Sequence, residues 1–242
     1  MSRHRARCEC QTAACVGGAL SLGRLRAQTD YTLDTAFTDT LRNSIDRNLA
    51  VFERTVVEDA DLRRAAVCIA VLRHPHEDHA CFLLTRRASR MARHSGQYAL
   101  PGGRMDAGES AHAAALRELE EELGIPVAAA TVLGSLDDYA TRSGFRITPI
   151  VAWIAERIPI VADAGEVEAF FHIPLQDLLH PAIPTLRTIA ESERPVLSME
   201  LTTLAHEVFA PTAAMLYQFR EVALHGHSTR VAHYDQPVFA WR

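Results

Sequence analysis

The sequence predicts a single mixed α/β domain preceded by an N-terminal extension. Short apolar runs typical of buried strands alternate with longer runs whose apolar residues recur at helical spacing. Neither an internal repeat nor a low-complexity linker separates them. The length of 242 residues, with 48% hydrophobic and 23% charged side chains, suits one well-buried domain with appendages. We therefore expect a domain over residues 65–242 and a helical extension over residues 31–64.

The strand and helix signals follow one another from residue 65 onward. The strand-like segments are "AAVCIAVLR" (65–73), "ACFLLTRR" (80–87), "YALP" (98–101), "ATVLGSL" (130–136) and "FRITPIVAWIA" (145–155), followed by "VEAFFHIPL" (167–175). A helical pattern returns in "TAAMLYQFREVAL" (212–224). Because strands and helices interleave rather than segregate, a mixed α/β domain is expected.

An amphipathic helix is predicted before the first strand, in "FTDTLRNSIDRNLAVFER" (37–54). Thr38 or Asp39 can serve as its N-cap. Its apolar positions, spaced i, i+4, i+8 and i+11, are Leu41, Ile45, Leu49 and Phe52. The simplest interpretation of this stripe is a cover for the core, and a homodimer contact is the alternative.

Residues 1–30 differ in composition from the rest. Arginines surround a weak apolar patch, "AACVGGALSLG", which favours a disordered Arg-rich arm over a targeting signal or a basic tether for an acidic partner. Three of the five cysteines, Cys8, Cys10 and Cys15, crowd into this segment. An odd number in this arrangement is not a disulfide framework, and no fourth ligand stands at zinc-finger spacing. Reduced thiols, and hence a cytoplasmic location, are expected.

The overall charge and hydropathy exclude two classes of partner. No apolar run approaches the roughly 18 residues that a membrane-spanning helix needs. The formal net charge of -5 argues against a protein that binds nucleic acid over its whole surface. Any nucleic-acid binding would depend on the Arg-rich arm alone.

The segment "HPHEDH" (74–79) joins the first two predicted strands. Its three histidines, with Glu77 and Asp78, resemble a set of metal ligands. Pro75 and the polar cluster between two strands nevertheless favour a hairpin turn as the default interpretation.

The segment "GGRMDAGESAHAAALRELEEELGI" (102–125) places six carboxylates in little more than twenty positions. Ser110 can cap a helix that begins near Ala111, and Gly124 can end it. At 100° per residue, Leu116, Leu119 and Leu123 fall on one side of that helix. The glutamates on the opposite arc are Glu118, Glu121 and Glu122, whereas Glu120 points elsewhere and is expected to be an exposed bystander.

Three like charges on one arc of an anchored helix repel one another unless a cation lies among them. A solvated acidic face is the simpler alternative, but the neighbouring residues favour a cation. Oxygen-only ligands suit Mg²⁺ or Mn²⁺. Gly102 and Gly103 allow a backbone carbonyl to turn toward the same metal. Glu109 lies eight residues before Arg117, which can bind it as a bidentate pair and fix the loop to the helix.

These residues resemble the Nudix box: Gly103, five residues, Glu109, seven residues, then "RELEEELGI" from Arg117. The resemblance implies a Nudix hydrolase, an α/β/α sandwich on a mixed sheet that cleaves a nucleoside diphosphate linked to another moiety. It implies that Glu118, Glu121 and Glu122 bind Mg²⁺ together with the carbonyl of Gly102, and that Glu109 and Arg117 form the structural pair. Such metals neutralise the diphosphate and activate water for attack on phosphorus.

The preceding segment, "LLTRRASRMARHSGQYALPGG" (83–103), resembles the region before the box in coenzyme A pyrophosphatases. Two positions depart from that pattern, since Ala92 stands where Arg is usual and Leu100 where Phe is usual. The resemblance favours coenzyme A or its thioesters as the substrate, with ADP-ribose or NADH as the alternative. The substrate-binding candidates on this segment are Arg87, Gly96 and Gly103.

Hydrolysis also requires a proton acceptor for the attacking water. Glu118 is a candidate on the metal face, and Glu166 in "DAGEVEAFF" is a second candidate outside the box, where an exposed loop acid is an equally good interpretation. A non-catalytic Nudix ligand sensor is the remaining alternative, but such domains usually lose box glutamates, and here all of them are present.

Overall fold

The computed structural model describes residues 33–88 and 97–241. The predicted arm over residues 1–30, with its three cysteines, lies outside this part of the chain. Gly96 also lies outside it. Among the described residues, no helix is both long and apolar enough to cross a membrane.

The secondary structure of the described residues confirms the predicted interleaving. The α-helices are α1 (Asp39–Ala50), α2 (Ala111–Leu123), α3 (Leu175–Leu178) and α4 (Thr212–Phe219). The strands are β1 (Arg63–Arg73), β2 (Ala80–Arg87), β3 (Tyr98–Ala99), β4 (Gly102–Arg104), β5 (Ala130–Ser135), β6 (Tyr139–Ala140), β7 (Phe145–Ile154), β8 (Val167–Pro174), β9 (Thr185–Ile189), β10 (Ser192–Leu201) and β11 (His206–Phe209).

The main sheet is mixed. Its strand order is β3-β2-β1-β7-β5, and β4, β6 and β8 add to this path by pairing with β1, β7 and β2. β1 and β7 run parallel, with Ala65 opposite Ile147 and Leu72 opposite Ile154, whereas β1 pairs with β2 and with β4 in antiparallel fashion. The parallel pair lies at the centre of the sheet.

The two faces of the sheet bury two separate hydrophobic clusters. Along β1, Ile69 and Val71 point to the cluster that contains α1 and α4, while Cys68 and Ala70 point to the cluster that contains α2. A strand that is covered on both faces has an almost continuous apolar sequence, and "AAVCIAVLR" is such a sequence. The protein is therefore an α/β/α sandwich, as the sequence predicted.

Helix α1 covers one edge of the core. Thr38 is its N-cap, because the hydroxyl of Thr38 accepts a hydrogen bond from Leu41 N at 3.3 Å. Leu41, Ile45 and Leu49 are buried, and Asn48 donates a hydrogen bond to the carbonyl of Ala223 at 2.9 Å. The boundary between an extension over residues 31–64 and a domain over residues 65–242 stays a prediction.

The last third of the chain adds a second sheet that the sequence did not reveal, together with the helix that it predicted over residues 212–224. Strands β9 to β11 form a second, antiparallel sheet in the order β11-β10-β9 within the described chain. Helix α4 follows and continues as a turn of π-helix over Arg220–Leu224. Helix α4 packs against β10 and β11, and its buried residues share one hydrophobic cluster with Ile69 and Val71 of β1, so this region lies beside the main sheet.

Candidate active site

Helix α2 carries the acidic segment and is fixed at both ends. Ser110 is the N-cap, since its hydroxyl accepts a hydrogen bond from Ala113 N at 3.2 Å, and Gly124 ends the helix in the left-handed conformation at φ 68°. Leu116, Leu119 and Leu123 are buried against the sheet. Burying each leucine stabilises the fold by about 1.5–3 kcal/mol. The leucines therefore orient the glutamates on the other side of the helix.

Glu122 is the most deeply buried of these glutamates, with 3% of its surface exposed. Its Oε1 lies 3.9 Å from Arg87 Nη1, and its Oε2 is buried without a hydrogen-bond partner among the described residues. Burial raises the pKa of Glu122 to about 8; Arg87 lowers this pKa, and Glu118 and Glu166 raise it. A buried carboxylate with an unpaired oxygen is costly unless a cation joins it.

Gly103 lies against Glu118, and Gly102 lies against strand β1. Gly103 pairs with Ala66 across β4 and β1, and a Cβ atom on Gly103 would lie 2.3 Å from Glu118 Oε1. At Gly102, φ is +153°, and a Cβ atom would lie 2.4 Å from the carbonyl oxygen of Ala66. Only glycine fits at Gly102, because a side chain there would meet the backbone of strand β1, whereas a side chain at Gly103 would displace the carboxylate of Glu118.

Arg117 connects the loop to the helix. Its Nε and Nη2 donate to Glu109 Oε1 and Oε2 at 3.0 and 3.2 Å, the bidentate geometry that the sequence predicted. Glu109 also accepts a hydrogen bond from Asp106 N at 2.9 Å. The hydrogen bonds from Arg117 and then from the backbone hold the pKa of Glu109 below its usual range. Glu109 is thus fully satisfied by the protein itself.

Arg117 also contacts two of the predicted metal ligands, which the sequence analysis did not anticipate. Its Nη1 donates to Glu118 Oε1 at 3.0 Å and to Glu121 Oε2 at 2.7 Å. The oxygens of Glu118, Glu121 and Glu122 do not gather within 4.8 Å of one another in this structure. The donor set still fits a hard divalent cation, because it consists of oxygens alone and includes the unpaired Oε2 of Glu122.

Two predicted residues outside the box lie next to these carboxylates. Glu166 is exposed in the loop before β8, and its carbonyl accepts a hydrogen bond from Ala88 N at 2.9 Å. Its charge contributes to raising the pKa of both Glu118 and Glu122. Arg87 ends β2, with its guanidinium directed toward Glu122. The structure therefore brings Arg87 and Glu166 together with the helix, while Gly96 lies outside the described residues.

A cavity of about 670 Å³ opens beside the glutamates. Its acidic end includes Glu118, Glu121 and Glu166. Its remaining walls include residues that the sequence analysis missed, namely Tyr98, Phe145, Ile147, Thr212, Met215 and Gln236. No sequence motif marks these positions, since they come from distant parts of the chain. Thr212, Met215 and Gln236 belong to the C-terminal region.

Solved structures resemble only part of the chain. A MutT/nudix family protein from Enterococcus faecalis matches with a TM-score of 0.43 and 15% identity over 69% of this chain and 64% of the other. An Ap4A hydrolase from C. elegans, solved as a binary complex, matches with a TM-score of 0.39 and 20% identity over 48% of this chain and 83% of the other. Likenesses at this level establish nothing about a substrate.

Sequence comparison is more specific. An uncharacterized Nudix hydrolase, NudL, from Salmonella paratyphi B is 40% identical over 146 residues, which are 58% of this chain and 74% of that protein. The NudL protein from Escherichia coli is 42% identical over 124 residues, or 51% and 63% of the two chains. The family model of the NUDIX domain matches residues 62–192, more than half of the chain. The protein belongs to the Nudix family and is a Nudix hydrolase.

Proposed function

We propose that this enzyme hydrolyses the diphosphate of coenzyme A or acyl-coenzyme A in the presence of Mg²⁺ or Mn²⁺. The products would be 3′,5′-ADP and 4′-phosphopantetheine or its acyl form. The observation that carries this proposal is the cavity in which Glu118 and Glu121 lie at one end and Phe145, Ile147 and Met215 supply apolar wall. A nucleotide with a long organic arm presents the same combination of a diphosphate and apolar surface.

The carbonyl of Gly102 and the carboxylates of Glu118, Glu121 and Glu122 would hold the divalent cation. A bound Mg²⁺ or Mn²⁺ supplies charge neutralisation for the diphosphate and lowers the pKa of a water molecule. Glu122 supports this assignment, because its Oε2 is buried without a partner among the described residues. The bidentate pair of Arg117 and Glu109 would hold α2 and its loop in register for that task.

In the reaction, a water oxygen bonds to one phosphorus of the diphosphate, and the bond from that phosphorus to the bridging oxygen breaks. The water must lose a proton, and Glu118 is one candidate acceptor. Burial raises the pKa of Glu118, although the hydrogen bond from Arg117 acts in the opposite direction. The raised pKa is closer to that of an effective base at neutral pH.

Glu166 is the second candidate acceptor, because it lines the cavity together with Glu118. If Glu166 is the base, Glu166→Gln should bind Mn²⁺ like the wild type and lose the rise of the pH–rate profile that reports deprotonation of the base. Exposed Glu168, which pairs with Arg86, offers a matched control as Glu168→Gln. An unchanged profile in Glu166→Gln would remove this residue from the mechanism.

Arg87 is proposed to contact the diphosphate of the substrate, since its guanidinium lies at the cavity and beside Glu122. Arg87→Ala should therefore raise KM for coenzyme A more than it lowers kcat. Arg86→Ala is the matched control, because Arg86 is the preceding residue of the same strand and pairs with Glu168 at 3.1 Å. Equal KM values in both variants would contradict a role for Arg87 in binding.

The substrate is tested by a panel of coenzyme A, acetyl-coenzyme A, ADP-ribose, NADH and nucleoside triphosphates, with products identified by mass spectrometry. We expect 3′,5′-ADP from coenzyme A at the highest kcat/KM. The alternative is an ADP-ribose or NADH pyrophosphatase, which would release AMP from those compounds and leave coenzyme A intact. That result would remove the coenzyme A proposal and retain the Nudix hydrolase. Binding of a diphosphate without turnover would support a ligand sensor.

A further inference from the structure

The turn between β1 and β2 is the predicted hairpin turn, and its backbone does not depend on its histidine side chains. His74 N donates to the carbonyl of His79 at 2.9 Å, and Arg157 Nη1 donates to the carbonyl of Pro75 at 3.0 Å. Arg73 and Asp78 form an ion pair across the turn. Since these contacts already fix the hairpin, turn geometry alone does not explain why two imidazoles and a carboxylate meet there.

The side chains of His74, Glu77 and His79 do come together. Each offers a ligand atom, and these atoms lie within 4.8 Å of one another, the only such group of three among the residues that the structure describes. His79 Nδ1 lies 3.1 Å from Glu77 Oε2. Two ligands of a tetrahedral zinc ion at 2.0–2.1 Å stand roughly 3.3 Å apart. The separation of this pair is therefore already close to the edge of a zinc coordination tetrahedron.

The imidazole of His79 has an available nitrogen in either tautomer. Its Nε2 is buried and has no hydrogen-bond partner within residues 33–88 and 97–241, while its Nδ1 faces Glu77. The ring of His74 stacks on that of His79 with 4.7 Å between centroids. The only hydrogen bond to His74 Nδ1 in this part of the structure is a long one, 3.4 Å from His76 N. Apart from the contact of His79 with Glu77 and the stacking of the two rings on each other, no short hydrogen bond holds either ring within the described residues.

Two further imidazoles border the group. The rings of His76 and His172 meet that of His74 edge-on, with centroid distances of 6.1 and 6.0 Å. His172 lies on β8, which pairs with β2, so its contact with His74 connects the turn to a neighbouring strand. A water molecule can complete a fourth coordination position.

We propose that His74, Glu77 and His79 form a binding site for a transition-metal cation, Zn²⁺, that is separate from the cation site of the Nudix box. Two imidazoles and one carboxylate are a ligand set that zinc accepts, whereas Mg²⁺ prefers oxygens alone. The two sites lie at opposite ends of β1. The eight residue steps from Ala66, opposite Gly103, to His74 span roughly 25 Å along the strand.

The test is a calorimetric titration of the full-length, chelator-treated protein with Zn²⁺, carried out on the wild type and three variants. His79→Ala removes a ligand, and Glu77→Gln changes an exposed one. His180→Ala is the matched control, because His180 is an exposed histidine elsewhere in the described chain. Zinc that binds to other parts of the chain remains in every variant, so only the difference between variants is interpreted.

We expect His79→Ala to lose one equivalent of bound Zn²⁺ and His180→Ala to match the wild type. Glu77→Gln should raise the Kd for this equivalent by more than the roughly 10- to 100-fold that removal of an outer-shell partner causes. Zinc X-ray absorption of the wild type should show imidazole scattering that is reduced in His79→Ala. An unchanged stoichiometry and Kd in His79→Ala would overturn the proposal. If circular dichroism shows that His79→Ala does not fold, an unchanged Kd in Glu77→Gln overturns it instead.

Discussion

Within residues 33–88 and 97–241, buried acids occur in two regions, and their partners differ between the two. Around the loop after β5 and the C-terminal segment, Asp137, Asp138 and Asp235 are at most 4% exposed. Each has an arginine partner: Arg230 bonds to Asp137 at 2.6 Å, Arg142 to Asp235 at 2.6 Å, and Arg54 pairs with Asp138. Further hydrogen bonds fill these sites, such as that from Gln218 to Asp137 at 2.7 Å.

Asp235 shows the consequence of this pairing. Its burial acts to raise the pKa, but hydrogen bonds from Arg142, Ser192 and Gln236 N outweigh burial and hold the pKa well below its usual range. The carboxylate is therefore charged and satisfied by protein groups alone. Such a site needs no cation and stabilises the fold.

The Nudix box shows the opposite arrangement. One guanidinium, that of Arg117, is shared by Glu109, Glu118 and Glu121, and Arg87 reaches Glu122 only at 3.9 Å. Burial raises the pKa of Glu122 rather than lowering it. The same chain thus pairs its buried aspartates with arginines, whereas on α2 the carboxylates outnumber the arginines that contact them. We infer that this excess is where the enzyme binds its divalent cation.

The largest effect is expected when this excess is reduced. Glu122→Gln should lower Mg²⁺-dependent hydrolysis by more than the roughly 10- to 100-fold that loss of an outer-shell partner of a metal causes, because it removes a proposed ligand. Glu120→Gln is the matched control, because Glu120 is exposed on another side of α2, and it should keep near wild-type activity. Equal losses in the two variants would show that the orientation of α2 does not select the ligands.

A smaller loss of activity is expected when the pair that positions α2 is broken. Glu109→Gln and Arg117→Gln should each lower kcat/KM by roughly 10- to 100-fold, because they loosen the loop without removing a proposed ligand. The double variant should lose less than the product of the two single factors, since both changes break one contact. Strictly multiplicative losses in this double-mutant cycle would contradict the pairing.

The smallest effect, measured as stability, contrasts the two regions directly. Asp137→Asn should lower the free energy of unfolding by roughly 1.5–3 kcal/mol, because it replaces a carboxylate that accepts charged and neutral hydrogen bonds. Glu122→Gln, in the presence of a chelator, should not lower this free energy, because burial disfavours the ionised form of Glu122 and its Oε2 has no hydrogen-bond partner among the described residues. Urea unfolding of the two variants and the wild type gives both values. If Glu122→Gln lowered the free energy of unfolding as much as Asp137→Asn, the proposed difference between the two regions would be contradicted.

Local patterns account for what could be predicted from the sequence. The residue types of Ser110 and Gly124 predict the two ends of α2. Helical periodicity separates its leucines from its glutamates, and neither prediction needs tertiary information. The alternation along β1 between two buried faces likewise follows from strand geometry. The mixed sheet was expected only through the family resemblance, and the parallel pairing of β1 with β7 was not predicted.

Long-range contacts account for what could not be predicted. The position of Arg87 beside Glu122 depends on how β2 is placed relative to α2, and no spacing in the sequence encodes this. The sheet of β9 to β11 and the cavity residues Thr212, Met215 and Gln236 come from a region without a recognisable motif. The sharing of Arg117 among three glutamates depends on side-chain rotamers, which helical angles alone do not fix.

Equilibrium binding of Mn²⁺, followed by electron paramagnetic resonance, tests most directly whether the negative excess on α2 is a cation site. The wild type, Glu122→Gln and Glu120→Gln are titrated without substrate, so that the result does not depend on the identity of the substrate. We predict that Glu120→Gln binds Mn²⁺ as the wild type does and that the Kd of Glu122→Gln rises by more than about tenfold. Wild-type affinity in Glu122→Gln would contradict the assignment of this buried carboxylate to the metal.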